Sequence, residues 1–160
     1  MKGMCMSVIE GSKAPDFNLS DDQGNMVSMA DYAGKKLVLY FYPKDDTPGC
    51  TTEACDLRDN FKALDRLNVA VAGVSRDSVK SHQTFKEKYD LNFPLLSDDS
   101  QQLCDAYEVM KEKSIYGKTY IGIERSTFLI DESGIVRKVW RGVTVSGHVD
   151  EILAAIKQLN

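Results

Sequence analysis

Two stretches of the chain are almost continuously apolar: Lys35 to Pro43, KKLVLYFYP, and Val69 to Ser75, VAVAGVS. Their length and lack of alternation are those of strands buried on both faces. Ahead of them, residues 14–32 carry short apolar alternations around Asp22-Gln23-Gly24-Asn25, which predicts a hairpin. Between the two apolar runs, Thr47-Pro48-Gly49-Cys50 opens a helix predicted to reach about Leu67. Residues 78–91 read as a polar amphipathic helix and 100–110 as a shorter one. The segment KEKSIYGKTYIGIE, 111–124, contains Gly117 and Gly122 and reads as a long loop. Residues 125–142 read as strand, Glu132-Ser133-Gly134 turn and strand, and VDEILAAIKQL as a closing helix.

The order is therefore hairpin, β-α-β, α, α, β-β-α. It predicts an α/β protein of thioredoxin-like fold, a central mixed sheet flanked by helices with an N-terminal β-hairpin. At 160 residues the chain reads as a single domain, 1–160. A domain of that size buries roughly 70% of its unfolded surface and needs no disulfide or metal to hold a core. A net charge of −4 argues against a nucleic-acid partner. No apolar run has signal-peptide or transmembrane length, so the expectation is a cytoplasmic protein without membrane contact.

In that compartment structural disulfides are uncommon, so Cys5, Cys50, Cys55 and Cys104 point to catalytic, redox, metal-binding or merely buried roles. Cys5 lies in a terminus expected to fray. Cys104, among Leu103, Tyr107 and Met110, reads as a small buried side chain. Trp140 and most tyrosines read as core or rim.

Cys50 stands apart. With Thr47 as N-cap and Pro48 at the first helical position, Cys50 falls at the third, among free backbone amides at the positive end of the helix dipole. In that reading the Thr47 hydroxyl accepts from one of those amides. The same helical phase puts Cys50 on the apolar stripe of Ala54, Leu57, Phe61 and Leu64, so its sulfur should sit in a shielded pocket. Burial alone works against a thiolate, so a cation from elsewhere in the chain is required. Glu53 reads as a first-turn acid that complements the dipole.

Here a resemblance enters. FYPKDDTPGCTTEACDLRD, LLSDDSQQLCDAYEV and YGKTYIGIERSTFLID are similar to peroxiredoxins, in particular the bacterioferritin-comigratory, or Q-type, subfamily. The likeness extends over nearly the whole chain. The signature Pro-x-x-x-Thr-x-x-Cys is met by Pro43, Thr47 and Cys50, and its arginine by Arg125. The resemblance implies a peroxidase that reduces hydrogen peroxide and organic hydroperoxides, with Cys50 as the peroxidatic cysteine. Thr47 would bond the peroxide, Arg125 would hold thiolate and peroxide, and Pro43 would shield a substrate pocket that also includes Gly49. It further implies a thioredoxin or similar dithiol reductant, a monomer, and no metal or other cofactor.

Some Q-type proteins carry the resolving thiol on the following helix, where SVKSHQTFKEKYD has no cysteine. The resemblance thus makes Cys55 the candidate resolving thiol. On an ideal helix positions 50 and 55 lie about 8.7 Å apart at Cα, beyond the roughly 7 Å that a disulfide spans. The expectation is that residues from about 47 to 56 unwind before the two sulfurs join.

Three rival readings compete. Cys50-x4-Cys55 offers two zinc ligands where a closed site needs four, and His82 and His148 read as isolated surface histidines. A thioredoxin-type oxidoreductase commonly carries Cys-x-x-Cys and has no use for Thr47. Lys111, Lys113 and Lys118 interleaved with Tyr116 and Tyr120 could bind nucleic acid, against the acidic balance of the chain.

Overall fold

The computed structural model describes residues 8–159, and Cys5 lies outside them. The predicted N-terminal hairpin pairs β1 (Asn18–Ser20) with β2 (Met26–Ser28), followed by a 3₁₀ turn at Met29–Tyr32. The run KKLVLYFYP forms β3 (Lys36–Phe41), every residue of which is buried. Helices α1 (Pro48–Asp59) and α2 (Phe61–Arg66) lead to β4 (Val69–Ser75), and α3 (Val79–Tyr89) to β5 (Leu95–Ser97). After α4 (Gln102–Ala106) come β6 (Met110–Ile115), β7 (Lys118–Ile123), β8 (Ser126–Ile130), β9 (Val136–Arg141) and α5 (His148–Gln158).

Seven strands form one sheet in the order β2-β1-β5-β4-β3-β8-β9. β4 runs parallel to β3 and β5, whereas β8 is antiparallel to β3 and to β9. This is the mixed sheet and thioredoxin-like fold expected from the element order. Alternation along β3 divides the interior in two. Leu37, Leu39 and Phe41 face a core shared with α4, while Val38, Tyr40 and Tyr42 face one built with α1, α2, α3 and α5. Cys50 belongs to the second core, together with Ala54, Leu57 and Leu64. Cys104 is buried in the first, and burial, with Asp98 beside it, pushes its thiol pKa well up.

In its secondary structure the protein departs from the sequence reading at α1, at 111–124 and at β5. The helix predicted to reach Leu67 breaks at Asn60, whose Nδ2 donates to the carbonyl of Asp56 at 2.8 Å. Such a side chain competes for the backbone groups that would continue the helix. The break leaves Phe61 only half-buried, although Leu64 returns to the core. The predicted loop 111–124 is largely the β6–β7 hairpin, paired from Met110–Ile123 to Ile115–Lys118. Tyr116 and Gly117, both at positive φ, make its two-residue turn. Both faces of this hairpin meet solvent along much of its length, so it shows no hydrophobic alternation to read. Finally, β5 is only three residues long and does not appear in the predicted order.

Gly73 in β4 makes the position of Tyr40 possible. A Cβ there would lie 2.9 Å from both Cζ and Oη of the buried Tyr40 ring. Gly73→Ala is expected to lower stability by about 1–3 kcal/mol through overpacking. Urea unfolding checks this, and an unchanged midpoint would show that the ring relocates freely.

Candidate functional site

The loop between β3 and α1 delivers Cys50 to the edge of the second core. Thr47 is extended, with φ −92° and ψ 156°, and Pro48 opens the helix. The backbone amide of Thr51 bonds the Thr47 carbonyl at 2.8 Å, which closes the first turn. The Thr47 side chain is oriented differently from the predicted cap. Its hydroxyl donates to the Lys44 carbonyl at 2.9 Å and receives no bond from the helix amides. The Thr47 oxygen therefore keeps its lone pairs for another donor.

Arg125 reaches this turn from the residue just before β8. Its Nη2 lies 3.5 Å from Cys50 Sγ, and its Nη1 donates to Glu53 Oε1 at 2.8 Å. The cation that Cys50 requires is thus 75 positions away in sequence and brought back by the β3–β8 pairing. Gly49 permits the approach, since a Cβ there would stand 3.0 Å from Arg125 Nη2. Pro43 and Thr47 are half-buried beside the turn, and Cys50 is buried. Cys55, half-buried, lies further along α1, and both thiols are free.

Glu53 does more than complement the helix dipole. Its side chain is 2% exposed and paired with Arg125, and its Oε2 has no hydrogen-bond partner among the described residues. Burial pushes its pKa up to about 7, outweighing the pull of Arg125 in the other direction. Arg125 is held as a cation more firmly than usual despite partial burial, because Glu53 and Cys50 both lie beside the guanidinium. Both pKa values are raised, which favours the charged form of Arg125 and the neutral form of Glu53. Sequence reasoning missed this role. The signal available was the spacing from Cys50, three residues on the same helix face.

The hairpin adds a second cation. Lys113 Nζ donates to the Ile123 carbonyl at 2.6 Å, and burial together with the nearby Arg125 pushes its pKa down. Glu124 closes the hairpin base through a 2.7 Å bond from its amide to the Val109 carbonyl, and so fixes the start of the strand that carries Arg125.

Neither histidine is the surface residue expected. His82 bonds Asp45 and the Leu96 carbonyl, and His148 bonds Thr127 and Glu151, both rings being buried. Burial pushes the His148 pKa down. Asp45, Asp77 and His82 bring possible metal-ligand atoms within 4.8 Å of one another. Their oxygens already accept bonds from Tyr42, Ser81, Ser75 and the Asp45 amide, which makes the group a hydrogen-bond network.

The raised Glu53 pKa has a consequence for stability. A carboxyl group that is harder to ionise when folded favours the fold fully below its unfolded pKa, near 4.5, and loses that contribution as pH rises through about 7. Glu53→Gln should therefore gain on the wild type between pH 5 and pH 8, by up to about 3 kcal/mol. Urea unfolding across that range measures it. A difference that stays constant with pH would contradict the assignment.

Residues 11–139 match the AhpC/TSA family. The putative peroxiredoxin bcp of Coxiella burnetii is 54% identical over 151 residues, covering 94% of this chain and 100% of that protein. Peroxiredoxin Bcp of Bacillus subtilis is 52% identical, covering 97% and 99%. Among solved structures, Xanthomonas campestris peroxiredoxin Q superposes with a TM-score of 0.85 at 49% identity, over 89% of this chain and 90% of that one. A Xylella fastidiosa PrxQ variant does so with a TM-score of 0.90 at 41% identity, over 96% and 98%. Sequence, topology and a cysteine facing an arginine at a helix start converge: this chain belongs to the AhpC/TSA family as a peroxiredoxin of the Bcp, or Q, type, a thiol-dependent peroxidase.

Proposed function

We propose that Cys50 is the peroxidatic nucleophile and that Cys55 resolves it. The 3.5 Å contact between Cys50 Sγ and Arg125 Nη2 carries the reading. In the first step the Cys50 thiolate attacks one peroxide oxygen and the O–O bond breaks. Negative charge builds on the departing oxygen, which takes a proton to leave as water or alcohol, and Cys50 becomes a sulfenic acid. A fixed guanidinium stabilises that charge without having to reorganise. Thr47 Oγ1, its own hydrogen turned to Lys44, accepts from the peroxide O–H. Pro43 shields the reacting atoms, and Gly49 leaves room for the guanidinium.

In the second step the Cys55 sulfur attacks the sulfenic sulfur, a disulfide forms and water leaves. Because helical spacing keeps the two Cα atoms beyond disulfide range, the first turns of α1 open before this step. A dithiol protein of thioredoxin type then reduces the disulfide by thiol exchange. Hydrogen peroxide and organic hydroperoxides are the substrates. For the latter, the related Xanthomonas campestris bacterioferritin comigratory protein is described as having alkyl peroxide reduction activity, with structures of trapped intermediate and ligand complexes. No described helix is long and apolar enough to cross a membrane. The family resemblance supports the further proposal of a cytoplasmic monomer.

Cys50→Ser should abolish peroxide-dependent turnover, since a serine hydroxyl is scarcely ionised at neutral pH. Cys55→Ser should consume one equivalent of peroxide at near-normal rate, then stall and drift to sulfinic acid. Stopped-flow kinetics and mass spectrometry follow both, and sustained turnover by either variant with a dithiol reductant would overturn the scheme.

Gly49→Ala provides an independent check on Arg125. Alanine suits the helix, but its methyl displaces Nη2 from the sulfur, so the rate of Cys50 oxidation should fall about tenfold or more while the fold is retained. An unchanged rate would show that the guanidinium contact is dispensable.

A further inference from the structure

The loop that leads into Cys50 is tied to a helix that contributes nothing to the reacting centre. Asp45 lies five residues before Cys50, and its side chain is 4% exposed. Its Oδ1 accepts from the Tyr42 hydroxyl at 2.5 Å. Its Oδ2 accepts from Ser81 Oγ at 2.8 Å and faces His82 Nδ1 at 2.7 Å. Its backbone amide donates to Asp77 Oδ2 at 2.8 Å, and Asp77 is itself held by Ser75 Oγ at 2.7 Å. The next residue, Asp46, is fixed by Lys88 Nζ at 2.8 Å and the Tyr89 hydroxyl at 2.6 Å. Two consecutive residues of the loop are thus anchored to α3.

His82 is fully buried. Its Nδ1 lies 2.7 Å from Asp45 Oδ2 and 3.4 Å from the Tyr42 hydroxyl, and its Nε2 meets the Leu96 carbonyl at 3.1 Å. A carbonyl cannot donate, so Nε2 carries hydrogen. Removing one partner from the buried His82–Asp45 contact leaves the other without its bond, and the structure around it gives way.

We infer that His82 is a positioning residue, which acts through its buried side-chain contact with Asp45 to hold the β3–α1 loop closed over Cys50. The inference rests on the reading of Cys50 as nucleophile and Cys55 as resolving thiol. The seating of Asp45 and Asp46 on α3 favours the closed helix start, and residues from Thr47 onward unwind more readily to let Cys55 reach the sulfenic acid when that seat loosens. A tighter anchor favours the closed form, in which a second hydrogen peroxide can oxidise the waiting sulfenic acid to sulfinic acid with release of water. A looser anchor favours the open form and the disulfide.

His82→Asn replaces the ring with a shorter amide and weakens the contact with Asp45. In this variant the rate of Cys50 oxidation should fall about fivefold to tenfold, the low end for coupling between two positions. The fraction reaching sulfinic acid under excess hydrogen peroxide should fall as well, in favour of the disulfide. Ile130→Val, in the opposite core, serves as a control: it lowers general stability and should leave that partition unchanged.

A wild-type partition in a folded His82→Asn would overturn the positioning role. Should that variant not fold, Tyr42→Phe removes a bond to the same carboxylate and leaves the imidazole itself in place. It should shift the partition in the same direction, and no shift would again count against the role. Mass spectrometry of the oxidised wild type separates the two readings. A disulfide other than Cys50–Cys55 removes the underlying scheme, whereas that disulfide with an unmoved partition removes this inference alone.

Discussion

One guanidinium is shared between a sulfur and a buried carboxylate, and much of the structure exists to make that sharing possible. Arg125 cannot come from the helix that carries Cys50, because neighbouring positions on α1 point along its surface or into the core. It comes from the neighbouring strand, where β8 pairs antiparallel with β3 and starts level with the end of that strand. The hairpin base at Val109–Glu124 fixes the approach, and two glycines clear the space. Gly49 lacks the atom that would press on Nη2, and Gly73 lacks the one that would displace Tyr40. Tyr40 stacks on Tyr42 at 5.5 Å between ring centroids, so the floor of the site and the Asp45 anchor share one aromatic pair.

Glu53 sets how firmly the arrangement is held. A fully satisfied carboxylate would bind Arg125 strongly and compete with the sulfur for it. Here one oxygen lacks a partner and burial works against the charge, so Glu53 orients the guanidinium without monopolising it. Arginine suits this position better than lysine would. Its planar fork offers separate nitrogens to two anions at once, which a compact ammonium cannot do in fixed geometry.

The parts of the structure legible in the sequence are those that follow from neighbours along the chain. β3 and β4 announce themselves because both faces of each strand are covered, and Cys50 because Pro48 fixes the helix start. The N-terminal hairpin and α5 follow from local alternation and helical periodicity. What stayed hidden depends on partners distant in sequence. Glu53 looks like any acidic residue in a first turn until Arg125 arrives across 72 positions. His82 looks like a polar-face histidine until Asp45 and Leu96 close around it. The β6–β7 hairpin has little core to pattern against, and β5 is too short to show a period. The Arg125 assignment came through family resemblance, since an arginine at a strand start is otherwise an ordinary solvated residue.

The proposed mechanism asks two incompatible things of α1. Peroxide attack needs Cys50 rigid, buried and facing Arg125, whereas disulfide formation needs the same residue to leave the helix. A uniformly stable helix would satisfy only the first demand. α1 is instead bounded on both sides by features that localise the change. Asp45 and Asp46 are tied to α3 upstream, and Asn60 interrupts the helix downstream. The segment between them can lose its helical bonds without pulling on β3 or α2, so opening costs a few turns of helix rather than the fold. What holds the segment closed is mainly the burial of Cys50, Ala54 and Leu57 and the contact of Arg125 with the sulfur. Oxidation changes the second of these directly, because an uncharged sulfenic acid attracts a guanidinium less than a thiolate does. The reaction thereby weakens the contact that kept its own site closed, and the order of events, attack first and opening second, follows from the charge on one sulfur.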